Sequence, residues 1–294
     1  MPFATGLTVP ELVLGELDWR DRERIHRNRV DDFCAPHRRR AQVGEAHPVW
    51  DFLFTYYRLR PRQLRIWHPG FGVALGGVAA ERYLGRSGYG HGRRGVEVTR
   101  EHLLARAETV RFIACLLRAM ASRPARLNCF GLHEWAMVYR SDTTRHRAPL
   151  RLGAAGTDAV VESLPLRCTH FDAFRFFTGP ARPRNSMQLS RAQQSAVEQP
   201  GCIHAVMDLY KWGVKLLPLV DSDVVMDAFE LAYEARVLDM RASPYDLRAF
   251  GYQPIPIETA AGRADYVRQQ SALSQRGAAV RASLLSRCHR LHNG

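Results

Sequence analysis

Apolar residues recur at three- and four-residue spacing in segment after segment of this chain, and prolines cut those segments apart. Such spacing lines the apolar side chains along one stripe of a helix, and a series of stripes is buried most readily against one another. Residues 97–121 show the pattern clearly. Leu103, Val110, Ile113, Leu116, Leu117 and Met120 share one side, and Pro124 stops the run. Further helices are expected at 170–177, 190–198, 203–217, 223–240 and 263–287, separated by Pro180 and Pro183, Pro200-Gly201, Pro218 and the turn at 243–246. Toward the N-terminus, 17–40 reads as a charged surface helix ended by Pro36 and followed by Arg38, Arg39 and Arg40. In 47–72, Pro48 can start a helix carrying Trp50, Leu53, Phe54 and Tyr57, with Arg58, Arg60, Arg62 and Arg65 behind it. Residues 84–95 hold five glycines and three arginines in neither of the familiar phosphate-loop spacings, and read as a mobile loop able to close over an anion. Residues 141–169 are turn-rich, with a short strand expected at 159–166. The expectation is a mainly α fold: a single compact helical domain over 1–294 with little or no sheet and a charged N-terminal segment at about 1–45.

Composition narrows the class. With 46% hydrophobic and 24% charged residues the chain falls in the globular range, not the disordered one. No run of apolar residues is long enough to span a bilayer, and the N-terminus does not read as a secretion signal, so a cytoplasmic protein without a membrane partner is expected. The six cysteines form no CxxC pair, which speaks against a zinc ribbon or a thioredoxin-like motif and for reduced, partly buried thiols. The formal charge is +13, a field that attracts polyanions such as DNA. Of the 42 Lys and Arg residues only Lys211 and Lys215 are lysine, leaving 40 arginines, a skew that a GC-rich genome also produces.

Three segments place histidine and carboxylate together among aromatic residues: 131–140, 168–177 and 201–212. They nominate His133, Glu134, His170, Asp172, His204 and Asp208 as catalytic. His204 and Asp208 stand four apart, so on a helix they share a face and can hydrogen-bond or share a metal. His133 and Glu134 point about 100° apart on a helix and cannot both face one small ligand there. Joint ligation by His170 and Asp172 requires a turn or strand. Separate burial of three such pairs is costly, so the segments are expected to meet around one concave pocket. Trp135, Tyr139, Phe174, Tyr210 and Trp212 are candidates to contact substrate, with core packing as the alternative, and Arg93 and Arg94 are candidates to grip an anion. Glu230 and Glu234 share a helix face, either as a solvated surface beside Arg236 or as extra ligands of a metal centre.

The stretches 47–72, 130–140, 166–178, 198–212 and 238–247 together resemble a group of actinobacterial proteins usually labelled 3-methyladenine DNA glycosylase, over about residues 20–285. The resemblance implies a hydrolase that flips an alkylated purine from DNA, stacks it between aromatics and uses a carboxylate, Asp172 or Glu134, against the sugar cation or to activate water. The helix-hairpin-helix pattern of many such enzymes is absent from this sequence. The residues alone also admit a metal-dependent helical-bundle enzyme acting on a small molecule. There His133, His170, His204 and Asp208 would suit non-haem iron. A nucleic-acid-binding protein without catalysis is the third reading, and the cofactor stays open.

Overall fold

In the structure, a computed structural model describing residues 12–293, the apolar stripes of the C-terminal half meet one another and form most of the core. The strands are β1 (Leu12–Leu14), β2 (Val73–Leu75), β3 (Tyr89–Gly92) and β4 (Gly95–Val98). The helices are α1 (Glu16–Gln42), α2 (Trp50–Tyr56), α3 (Pro61–Leu64), α4 (Arg100–Ala105), α5 (Ala107–Ala121), α6 (Leu132–Ala136), α7 (Gly153–Ser163), α8 (Phe171–Phe174), α9 (Gln194–Val197), α10 (Ile203–Leu216), α11 (Ser222–Arg241) and α12 (Ala260–Asn293). The fold is mainly α, with one small sheet. Among the described residues no helix is long and apolar enough to cross a membrane. Residues 1–11 of the expected charged N-terminal segment lie outside the described residues.

Helices α10, α11, α12 and α5 pack on one another and bury the stripes read from the sequence. Their axes approach closely where glycine stands in for a side chain: a Cβ on Gly277 of α12 would meet Val206 of α10 at 3.3 Å. Asp221 caps α11 by accepting the Val224 N–H, and Arg287 of α12 grips the same carboxylate.

Several local expectations are corrected. Pro36 does not end its helix. α1 runs on to Gln42, because Val30, Phe33 and Cys34 are held against α2 and α11, and Arg38 donates to the Asp31 carbonyl beside the interrupted ladder. Residues 84–95 are not a loop throughout: they supply β3 and most of the turn into β4, within a sheet of order β1-β2-β4-β3 in which β1 and β2 are parallel. Gly95 is required there, since at φ 149 a Cβ would collide with the Leu75 carbonyl of β2. Over most of the strand expected at 159–166 the chain is instead the end of α7, whose alanine- and glycine-rich start carries Val160 and Val161 into the core, and only Leu166 forms a bridge, parallel to Asn185. The helix expected over 97–121 divides at Arg106, and 190–198 is a 3-10 turn followed by the single turn α9.

Candidate active site

The site is built where α6, α8, α10 and α11 meet. Phe130 and Gly131, both with positive φ, turn the chain inward before α6, and every residue of that helix is buried. His133 and Glu134 therefore diverge inside protein, and α11 rejoins them. His133 Nε2 lies 2.6 Å from Asp239 Oδ1, while Arg236 Nη1 donates to Glu134 Oε1 at 2.6 Å and to Asp239 Oδ2 at 2.8 Å. His204 of α10 lies edge-on to His133 with ring centroids 4.2 Å apart, and stacks on His170 at 5.4 Å.

His170 stands just before α8, with Nε2 3.3 Å from both Glu198 Oε1 and Asp208 Oδ2, and neither ring nitrogen forms a well-aligned hydrogen bond. Lys211 then bridges Asp208 and Asp172, 2.7 Å from each, and Arg191 holds the outer side of Asp172. The three His/carboxylate segments are thus brought together in one polar network, but with other pairings than spacing suggested. His204 keeps company with His133 and Asp239, not Asp208. Asp172 contacts Lys211, not His170.

Charge is distributed unevenly through this network. Burial by itself would strip the proton from His133, but the Asp239 carboxylate outweighs it and holds the imidazolium up to about 10. Burial also opposes the charge on Asp239, yet His133 and Arg236 keep it ionised well below the ordinary carboxylate range. Burial, reinforced by the adjacent His133 cation, pushes His204 far below 6.5 and leaves it neutral. Burial raises Glu198, whereas Lys211 and His170 overcome burial to keep Asp208 ionised. A neutral imidazole beside a carboxylate-paired histidine is a donor set suited to a metal ion. One ligand atom from each of His133, His204 and Asp239 lies within 4.8 Å of the other two.

Four members of this network, Glu134, Asp172, His204 and Arg236, line a cavity of about 430 Å³, and His133, His170, Asp208 and Asp239 do not line it. Its apolar lining includes Phe52, Tyr56 and Phe176.

The aromatics nominated from sequence lie elsewhere. Trp135 is buried with Nε1 donating to the Ala242 carbonyl, and Tyr139 donates to Glu162. Phe174 packs on Phe177, Tyr210 on Phe229 and Trp212 on Phe112, so none of the five lines the cavity. Arg93 and Arg94 sit in the β3–β4 turn and do not line it either. Glu230 and Glu234 pair with Arg29 and Arg276 toward the surface, away from the metal-ligating trio. Sequence reading passed over Asp239, Glu198 and Lys211 as site residues. Lys211 carried a signal: one of only two lysines in a chain with 40 arginines stands four residues after Met207 in the apolar run of α10. Asp239 and Glu198 carried none, because nothing in their spacing marks His133 as the partner of Asp239 or His170 as the partner of Glu198.

Comparison of the chain with protein-family models, curated proteins and solved structures finds no match in any of the three.

Proposed function

We propose that the protein is a metal-dependent enzyme acting on a small molecule, with His133, His204 and Asp239 holding a divalent transition-metal ion. The observation that carries this reading is the convergence of those three side chains, from α6, α10 and α11, with His204 facing the cavity and His133 and Asp239 buried behind it. Two imidazoles and one carboxylate with the remaining positions open is the donor set of non-haem iron centres. Bonds of about 2.1 Å place ligand atoms about 3.0–4.2 Å apart, so small adjustments of the present positions suffice. An ion there would take the place of the proton between His133 and Asp239, and Arg236 would steady the carboxylate from its other oxygen. Bound metal would act as a Lewis acid on a substrate oxygen. Elemental analysis of protein from unsupplemented culture is expected to find stoichiometric divalent metal, lost in His204→Ala. Wild-type protein that stays substoichiometric after iron, manganese and zinc have each been offered defeats the reading.

A second reading retains the glycosylase resemblance, and one feature favours it. Glu134 Oε2 is buried without a hydrogen-bond partner, and the residue faces the cavity beside Phe52, Tyr56 and Phe176. A carboxylate oxygen with free lone pairs among aromatics suits the activation of water beside a flipped base. On this reading a duplex with a single 3-methyladenine yields abasic sites, and Glu134→Gln does not produce them. Arg93→Ala with Arg94→Ala then lowers the salt slope of DNA binding by roughly one counterion per lost contact. Absence of abasic sites with the wild-type protein rejects it.

A further inference from the structure

At the mouth of the cavity, Arg145 and Arg147 flank His146 in the 141–150 segment, and neither has a carboxylate partner among the described residues. Arg29, Arg65 and Arg151, by contrast, are tied to acids. The segment is anchored. Tyr245 Oη accepts the Arg145 N–H at 3.1 Å, the Arg151 N–H donates to the Pro244 carbonyl, and Arg236 lies 3.3 Å from His146 Nε2. The Arg145 guanidinium stacks over Phe176 at 4.2 Å, which fixes its plane and leaves its N–H edges open.

The carboxylates facing the cavity are mostly answered already. Glu134 is neutralised by Arg236 and Asp172 by Lys211 and Arg191, while Asp51 accepts the His47 N–H and lies 3.5 Å from His37. Two unpaired cations at the rim therefore outnumber the one carboxylate left without an ionised partner, and Phe52 and Phe176 present apolar faces inside the same cavity. We infer that the cavity takes a small molecule with an apolar or aromatic body and a single oxyanion, and that Arg145 and Arg147 bind the oxyanion at the rim while the body lies against Phe52 and Phe176. Bidentate N–H pairs match the oxygens of a carboxylate or a phosphate equally, so the shared chemistry is that of an oxyanion. The inference rests on the small-molecule reading of the cavity, but not on the metal.

Calorimetry on the full chain with benzoate, phenyl phosphate, benzamide, benzylamine and a thymidine hexanucleotide tests it. Benzoate or phenyl phosphate is expected to bind at least about tenfold more tightly than benzamide or benzylamine, and whichever binds better identifies the oxyanion. The Arg145→Gln, Arg147→Gln double variant is expected to lose that preference while its melting temperature and metal content stay those of the wild type. Benzamide or benzylamine binding as well as the acids overturns the inference, as does a double variant that still discriminates. So does absence of binding by both acids at millimolar concentration, or tighter binding of the hexanucleotide than of either. Oxyanion preference in protein that takes up no metal leaves the inference standing and removes only the metal.

Discussion

Asp239 is the residue on which the site's electrostatics turn. It is fully buried and answers two cations at once, His133 and Arg236, so its loss leaves His133 without its counter-charge inside the protein and Arg236 with Glu134 alone. Removing one partner of a buried ion pair costs about 3–5 kcal/mol, whereas an exposed pair contributes about 1 kcal/mol or less. Asp239→Asn is therefore expected to lower stability in urea unfolding several times more than Glu234→Gln, whose pair with Arg276 is about half exposed. Equal losses from the two variants would show that the buried network is not a stability determinant. The direction of the His133 shift follows from the same contact, because burial alone would have left that ring neutral.

At the scale of elements, the start of α2 is held by a side chain and not by its own sequence signal. Pro48 is present as expected, but the work of a cap falls to His47, whose Nδ1 lies 3.3 Å from the backbone N–H groups of Val49 and Trp50. Burial, with Arg40 nearby, lowers this ring from 6.5 to about 4. The unfolded chain therefore takes up the proton first as pH falls. The ring's contribution to stability is complete above pH 6.5 and is lost as pH drops from 6.5 toward 4, an effect of the order of 2 kcal/mol. His47→Asn keeps a capping acceptor without the titration, so its urea midpoint is expected to change less over that range than that of the wild type. An unchanged pH slope would move the effect to other lowered histidines such as His68. The α10–α12 contact offers a second test. Gly277→Leu must push Val206 aside, and a loss of about 1–3 kcal/mol in unfolding free energy is expected. A neutral result would mean that the two helices can separate without penalty.

Across the whole molecule, much of the arginine excess joins elements together. Arg29 links α1 to α11, Arg276 and Arg287 link α12 to α11 and its cap, and Arg65 reaches back to Asp31 of α1. The positive charge is therefore in part scaffolding, and Arg145 and Arg147 differ from these in lining the cavity without an acid partner. Periodicity determined the helical class, and it placed α5, α10, α11 and α12 closely because their stripes are local properties of the chain. It also drew attention to the three His/carboxylate segments, since polar pairs inside apolar runs need partners. It misjudged 84–95, where glycines that read as flexibility instead allow strands to approach, and 159–166, where the valines lie on the buried face of α7. The pairings inside the site were decided by tertiary structure alone. Whether His133 meets Glu134, Asp208 or Asp239 depends on how α6 is turned by Phe130 and Gly131 and on which face of α11 lies against it. Burial and the placement of counter-charges, set where separate helices meet, then decide which of those groups is charged.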